Sequence, residues 1–253
     1  MYKDHPTFKK VDISDGDPVW RYMDFQKFYD LLNKKQLFFC RTDKFQDRWE
    51  YTYPKKNRNR KARLVTVTNI DTGISHNEVI TSISPFNQVT STKEIKKQFA
   101  VNCWNAGDEE SDALWKIYAT LNAGVAIKST FGSLKNAFSR SSDEIYIGGV
   151  KYINYNADGD EIDEAQAFEP LMHKRVAFSH EREVRAVIWK PKQGESFATD
   201  NGQYVPVDLT TLIHEVVVSP GASSWFVENV KDIITVKGFS FACRKSDHLD
   251  EPT

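Results

Sequence analysis

The segment that most constrains this fold is an apolar run preceded by two closely spaced carboxylates. It spans 178–189 and contains Glu181 and Glu183, followed by Arg185. Successive side chains of a strand point to opposite faces. A strand that begins near Glu181 therefore places Glu181, Glu183 and Arg185 on one face. The other face is mostly apolar, which predicts that it is buried against a core.

The paired carboxylates have two interpretations. Two carboxylates held close together raise one another's proton affinity, and such pairs serve acid–base catalysis or stabilise a developing positive charge. Alternatively, Glu183 and Arg185 form an internal ion pair on a solvated strand face. The choice between the two interpretations depends on the rest of the chain.

Composition predicts a globular protein without a membrane segment. The 253 residues include six Trp, ten Tyr and sixteen Phe, which is typical of a packed core rather than a disordered chain. No apolar run approaches the roughly 20 residues that span a bilayer, and the N-terminus does not resemble a secretory signal. Cys40, Cys103 and Cys243 are widely spaced and odd in number. We therefore expect reduced thiols and a cytoplasmic location.

Hydrophobic periodicity predicts an alternation of short helices and strands. Helices are expected after Asp24, from Glu109 to about Tyr118, and over 131–138, 168–174 and 223–230. Strands are expected over 36–41, 99–104, 124–129, 144–155, 204–207 and 215–218, with a hairpin within 64–83. We expect one α+β domain over 1–253, with a mixed, strongly bent sheet flanked by helices. An irregular insertion is expected over about 51–97, and a frayed tail over 246–253.

Missing motifs exclude several kinds of site. No Gly-rich phosphate loop follows a predicted strand, and no Cys/His cluster has the spacing of a zinc site. Two charged segments each leave two interpretations open. Asp43, Asp47 and Glu50 are spaced to share one side of a helix, where they either bind a divalent metal or pair with neighbouring cations. The basic run over 55–63 either contacts phosphates or forms a solvated loop.

Motifs from Trp20 to about Ser246 resemble a bacterial family, the domain of unknown function 2971. They comprise Arg41 with 43–50, Cys103-Trp104 with 110–118, and the segments 124–129, 173–175 and 178–185. Arg48 stands where that family usually has Pro. This resemblance implies a fold more readily than an activity.

A second resemblance implies chemistry. The order of an Arg on an early strand, Ser-Thr after a middle strand and Glu-x-Glu opening a late strand is similar to the arginine/serine/glutamate class of ADP-ribosyltransferases. The middle motif here is Ser129-Thr130-Phe131 rather than Ser-Thr-Ser. The resemblance implies an ADP-ribosyltransferase-like fold, NAD as the cofactor consumed, and activity as a transferase or NAD glycohydrolase. It also implies a bacterial toxin or anti-phage effector.

The same resemblance assigns roles to individual residues. Arg41 would hold the phosphates of NAD, a task that suits a guanidinium fork. Glu183 would bond the nicotinamide ribose and stabilise oxocarbenium charge, and Glu181 would orient or deprotonate the acceptor. The nicotinamide pocket would be ordered by Ser129 and Thr130, with Trp115, Tyr118 or Phe131 stacking on the ring. The acceptor would be a protein or nucleic acid, and a cognate antitoxin or inhibitor would be a partner.

Two other functions remain as alternatives. A metal-dependent hydrolase or nuclease would gather three carboxylates around one point, drawn from Asp43, Asp47, Glu50, Glu110, Glu181 and Glu183. A non-catalytic binding module would instead bury an Arg/Glu/Trp network whose members are all paired, with no open pocket beside it. The transferase requires Arg41, Ser129 and Glu183 to meet in one cleft large enough for NAD.

Overall fold

One mixed β-sheet with short flanking helices contains most of the buried apolar residues. The computed structural model describes residues 1–3, 13–59, 63–68, 75–80, 93–119, 122–163, 166–192 and 194–249, with 63–68 and 75–80 described as backbone only. The strands are β1 (Pro18–Asp24), β2 (Gln36–Arg41), β3 (Arg63–Thr68), β4 (Ser75–Ile80), β5 (Phe99–Ala106), β6 (Gly124–Thr130), β7 (Tyr146–Gly149), β8 (Lys151–Ile153), β9 (His173–Arg175), β10 (Glu183–Trp189), β11 (Gly202–Pro206), β12 (Glu215–Val218) and β13 (Ala242–Lys245).

The helices are short. They are α1 (Phe25–Lys34), α2 (Lys55–Arg58), α3 (Asp112–Tyr118), α4 (Phe131–Ala137), α5 (Leu209–Leu212) and α6 (Ser224–Val236). Three 3-10 helices cover Thr42–Lys44, Glu169–Met172 and Val176–Glu181. In the part of the chain that the structure describes, no helix is long and apolar enough to cross a membrane.

The sheet branches at β5. Nine strands of the described residues form it, in the order β11-β2-β5-β1-β6-β12-β13, with β10 pairing β5 and β7. One edge of β5 pairs with β10 from Phe99 to Asn105. The other edge pairs with β2 near Val101 and with β1 at Asn105 and Ala106. Since two strands share one edge, they diverge between these contacts and leave a gap.

Helix α1 connects the two diverging strands. Asp24 caps it by accepting a hydrogen bond from the backbone N–H of Lys27, and Lys35 ends it in the left-handed conformation, at φ 53°. The helix buries Phe28, Leu31 and Leu32 against the core. The predicted helix after Asp24 is therefore confirmed, and it forms one side of the space between β1 and β2.

The α+β class with a mixed sheet is confirmed. The pairings within the large sheet are antiparallel except for the parallel pair β12–β13. β3 and β4 pair antiparallel, as the predicted hairpin requires, and its turn at 71–73 lies outside the described residues. The three cysteines are free thiols.

Two predicted elements are wrong. The helix expected over 168–174 is a 3-10 turn with Pro170 near its start, followed by β9. The late strand begins at Glu183 rather than Glu181, because Arg182 adopts a left-handed conformation, at φ 42°. At the predicted frayed tail, Ser246 is buried and its N–H donates to the carbonyl of Val218 at 2.8 Å. Residues 250–253 lie outside the described part of the chain.

The buried indole of Trp104 gives a stability prediction. Its side chain has no exposed surface, and its Nε1 donates to Asn102 at 2.7 Å. Trp104→Ala should lower the free energy of unfolding by about 3–5 kcal/mol, since it removes the largest kind of core side chain and leaves a cavity. Urea unfolding measures the loss. Trp225→Ala, at a tryptophan that is 67% exposed, is the control and should change stability by less than about 1 kcal/mol.

Candidate active site

The gap between β1 and β2 forms a cavity of about 540 Å³. We call it the first cavity. Its walls include β1, β2 and the side chains of Val101, Cys103 and Asn105 on β5. Two side chains satisfy backbone carbonyls where strand pairing stops. Asn102 Nδ2 donates to the carbonyl of Phe38 at 2.9 Å, and Arg21 Nη1 donates to the carbonyl of Cys103 at 2.5 Å.

Arg21 brings an uncompensated positive charge to the first cavity. It lies on β1 and is half-buried, and among the described residues no carboxylate lies within ion-pair distance of it. Burial lowers the pKa of Arg21, because the charged guanidinium loses solvent. A half-buried cation with no carboxylate partner favours an anionic ligand.

A second cavity of about 920 Å³ adjoins the first. Its walls come from the segment 44–50, the end of α3, β9 and the 3-10 turn before β10. The two cavities share five lining residues: Phe45, Cys103, Tyr118, Glu181 and Glu183. The paired carboxylates of the sequence therefore lie where the two cavities meet.

Arg185 holds Glu183, one of the paired carboxylates, together with Glu50. Its guanidinium has no exposed surface, and it bonds Glu183 through Nε at 2.8 Å and Nη2 at 3.1 Å. It bonds both oxygens of Glu50 at 2.8 and 2.9 Å. The internal Glu–Arg pair of the sequence thus exists, but it is buried rather than solvated. A buried charge of this kind requires such partners.

Lys174 joins the two glutamates. Its Nζ lies 2.5 Å from Glu181 Oε2, 3.1 Å from Glu183 Oε2 and 3.8 Å from Glu50 Oε1. The hydroxyl of Tyr118 donates to the other oxygen of Glu181 at 3.1 Å. Glu181 and Glu183 are each 4% exposed. Both carboxylates are therefore held by cations or hydroxyl donors on the protein side.

The electrostatics of the pair differ from the sequence-based expectation. The two carboxylates were expected to raise one another's pKa. Burial does oppose ionisation of Glu183, but the charges and hydrogen bonds of Arg185, followed by Lys174, lower its pKa to about 2. Burial opposes the charge on Lys174 as well, yet Glu183 and Glu181 raise its pKa. Glu183 is therefore ionised throughout the neutral range.

Arg41 is not brought to the glutamates. It bonds Asp43 at 2.6 and 3.0 Å, lies 3.6 Å from Asp200, and lines neither cavity. In register it pairs with Ala100, which pairs with Ile188, five residues beyond Glu183 on β10. That offset corresponds to roughly 15–20 Å along and across the sheet. The first cavity is instead lined by Arg21 and Lys27, and Lys27 pairs with Asp24 at 2.6 Å, so Arg21 is the cation that forms no ion pair with a described residue.

Most of the predicted nicotinamide-pocket residues lie elsewhere. Ser129 is buried with its hydroxyl 3.5 Å from the Thr130 carbonyl, and Thr130 caps α4. Trp115 has no exposed surface, and its ring packs against Tyr22. Neither cavity is lined by Ser129, Thr130, Trp115 or Phe131. Of the predicted set, only Tyr118, Glu181 and Glu183 meet at one place.

Sequence reasoning missed Arg21 and Lys174. Arg21 stands within the aromatic and apolar stretch Trp20-Arg21-Tyr22-Met23, the same kind of setting that drew attention to Arg185. Lys174 gave no such signal, because a lysine between His173 and Arg175 is typical of a solvated basic surface.

The charges proposed for other functions are engaged in pairs. Asp43 bonds Arg41, Asp47 bonds Arg175 at 3.1 Å, and Glu110 bonds Arg244 at 2.9 Å. No group of three or more His, Cys, Asp or Glu among the described residues has metal-binding geometry. The metal-dependent hydrolase alternative thus gains no support. In the basic run, Lys55 and Lys56 lie on helix α2 rather than in the expected loop, and they pair with Asp158 and Glu161 at 3.0 and 3.1 Å.

Comparisons with known proteins found few similarities. No family model and no curated protein matches the chain, so the resemblance to the domain of unknown function 2971 gains no support there. Similar solved structures include three of DarT from Thermus sp. 2.9. The complex with ADP-ribosylated ssDNA has a TM-score of 0.41 at 10% identity, covering 94% of this chain and 97% of that one.

The other two DarT structures are equally distant. The NAD+ complex has a TM-score of 0.41 at 8% identity and covers 92% of this chain and 97% of that one. The carba-NAD+ complex has a TM-score of 0.39 at 10% identity, with 92% and 96% covered. These scores are too low to establish a common fold.

The low pKa of Glu183 predicts an acid-labile contribution to stability. The pKa falls from an ordinary value near 4.5 to about 2 on folding, so the contribution is present above pH 4.5 and disappears as the pH falls toward 2. The difference in unfolding free energy between the parent and Glu183→Gln should shrink by on the order of 3 kcal/mol over that range. Urea unfolding at successive pH values measures it. A difference that stays constant with pH contradicts the assignment.

Proposed function

We propose that this chain cleaves NAD at the bond between nicotinamide and ribose, as an ADP-ribosyltransferase or NAD glycohydrolase. The observation that carries the proposal is the meeting of Arg21 and the Glu181/Glu183 pair in one cavity of about 540 Å³. Pockets of several hundred Å³ suit a ligand of dinucleotide size. The cavity offers a cation at one place and carboxylates at another.

Arg21 takes the phosphate-binding role that the resemblance gave to Arg41. A pyrophosphate carries negative charge and accepts parallel hydrogen bonds from a guanidinium fork. Arg21 Nη1 donates to the Cys103 carbonyl and its other nitrogens bond no described residue, whereas Arg41 is already bonded twice to Asp43. These donors, which bond no described residue, support Arg21 as the residue that binds the phosphates of NAD.

Glu183 supplies the electrostatic part of the reaction. As nicotinamide leaves with the electron pair of the broken bond, positive charge develops on the ribose, and a fixed carboxylate stabilises that charge. Glu183 is held in place by Arg185 and Lys174 and is ionised at neutral pH. The network contains three carboxylates (Glu50, Glu181 and Glu183) against two cations (Lys174 and Arg185), so a net negative charge remains to favour a cation.

Glu181 and the second cavity serve the acceptor. Glu181 borders both cavities, so an acceptor in the second cavity would reach the ribose carbon from the side of Glu181. The acceptor's nucleophilic atom bonds to that carbon, and its proton passes to the Glu181 carboxylate. Water as acceptor gives an NAD glycohydrolase, and a protein or nucleic acid gives a transferase. We extend the proposal to a bacterial toxin or anti-phage effector, with a cognate antitoxin.

A second candidate is a nucleotide-binding module without catalysis. The observation in its favour is the complete internal pairing of Arg185, whose donors are all bonded to Glu50, Glu183 and the Leu171 carbonyl. Binding of NAD by calorimetry without release of nicotinamide would identify this function.

Separate alanine substitutions of Arg21 and Arg41 test which arginine binds the phosphates of NAD. Arg21→Ala should raise the Kd for NAD by about 10- to 100-fold, since one charge-assisted bidentate contact is worth a few kcal/mol. Arg41→Ala is the matched control, because it removes an arginine that lies outside the first cavity, and it should leave the Kd for NAD nearly unchanged. Calorimetric titration with NAD measures both. A larger rise in Kd for Arg41→Ala than for Arg21→Ala would instead assign the phosphates of NAD to Arg41, as the resemblance implied.

Removal of the Glu183 charge tests catalysis. Glu183→Gln should reduce nicotinamide release by about 10²–10³-fold, because the amide keeps the shape but cannot stabilise positive charge. Chromatography of the products measures nicotinamide. The reaction is run below the melting temperature of each variant, so that the measured protein is folded. Glu228→Gln, at an exposed glutamate of α6, is the matched control. Parental turnover in Glu183→Gln refutes the assignment.

A further inference from the structure

Lys174 lies within the carboxylate network and has no role in the proposed reaction as described above. It lies on β9, its side chain is 10% exposed, and its ammonium contacts all three carboxylates of the network. The ring of Phe178 lies 4.8 Å from Nζ on another side. A buried lysine surrounded in this way is fixed in place by its partners.

The two carboxylates that Lys174 joins would repel one another without it. Glu181 Oε2 and Glu183 Oε2 both contact Lys174 Nζ, at 2.5 and 3.1 Å. The distance between the two oxygens is therefore at most the sum of these two contact distances. Two carboxylates at such a separation do not both stay ionised unless a cation lies between them. Arg185 cannot replace that cation, because it bonds Glu183 but not Glu181.

We propose that Lys174 is a positioning residue that compensates the negative charge of Glu181 and Glu183 and holds them at a fixed separation across the junction of the two cavities. The inference rests on the proposed function for its catalytic consequence, but the electrostatic part stands on the contacts alone. Lys174 lines the second cavity, but its ammonium is bonded to Glu181 and Glu183, so in this scheme it acts through the two glutamates.

Other charged and titratable groups face the pair from every neighbouring element. They are Arg185 on β10, Glu50 after β2, Tyr118 on α3, Tyr152 on β8 and Cys103 on β5, with Lys44, Asp47, Arg48, Arg175 and His180 farther along the second cavity and Arg21 in the first. Tyr118 and Cys103 stay neutral at neutral pH, because burial raises the pKa of each. Lys174 is thus the single cation among the described residues that bonds Glu181.

The test compares neutral and charged replacements of Lys174. In Lys174→Met, the acid limb of the pH profile of nicotinamide release should move up by about one pH unit or more, since one carboxylate of the pair then retains a proton. Lys174→Arg keeps the charge and should keep the limb within about half a unit. Lys116→Met, at an exposed lysine paired with Asp112, is the control for the substitution itself.

A carboxyl titration by nuclear magnetic resonance, on protein labelled with 13C at the glutamate side chains, gives a readout independent of activity. Lys174→Met should shift the Glu183 resonance to a titration midpoint about one unit or more higher, even if the parent proves unable to cleave NAD. Where Lys174→Met does not fold, Lys174→Gln serves as the neutral variant.

Two results overturn the inference. One is a set of carboxyl midpoints in the neutral variant equal to those of the parent. The other is a loss of activity by the same factor at every pH, with a lowered melting temperature, which indicates a purely structural lysine. If the midpoints shift and no variant, nor the parent, releases nicotinamide, the electrostatic role holds and the proposed function fails.

Discussion

The buried charge of Arg185 is the constraint on which the site depends. A guanidinium with no exposed surface destabilises a fold by several kcal/mol unless carboxylates and carbonyls bond it. Glu183 is its neighbour on the strand, whereas Glu50 lies 135 residues earlier in the chain. The segment after β2 must therefore fold back over β10. This segment forms a wall of the second cavity, so the ion pair determines both the position of Glu183 and the space beside it.

The first cavity follows from strand pairing rather than from a loop. β1 and β2 share one edge of β5, and a shared edge leaves unpaired backbone between the two contacts. Unpaired backbone groups in a buried place require other partners. Asn102 and Arg21 meet that requirement by bonding the carbonyls of Phe38 and Cys103. Arg21 thus has one structural bond and further donors that remain available to a ligand.

Local sequence predicted the elements well and their mutual positions poorly. The cap at Asp24 and the strand over 36–41 depend on residues adjacent in the chain, and both are confirmed. Arg21 and Arg41 both lie on aromatic strands, so composition did not distinguish them. What distinguishes them is the register of each strand on β5, which depends on contacts between distant segments. Alternation within one strand likewise did not predict the left-handed turn at Arg182.

That turn gives the two glutamates different surroundings. Glu183 lies on the strand, where Arg185 is on the same face, and it bonds two cations. Glu181 ends a 3-10 helix, and the left-handed Arg182 interrupts the strand alternation between them. Glu181 consequently reaches Tyr118 and Lys174 but not Arg185. A carboxylate fixed by an arginine suits a constant electrostatic role, whereas one held by a lysine and a tyrosine suits proton exchange with an acceptor. The backbone conformation at one residue thus separates the surroundings of the two glutamates, to which we assign different proposed roles.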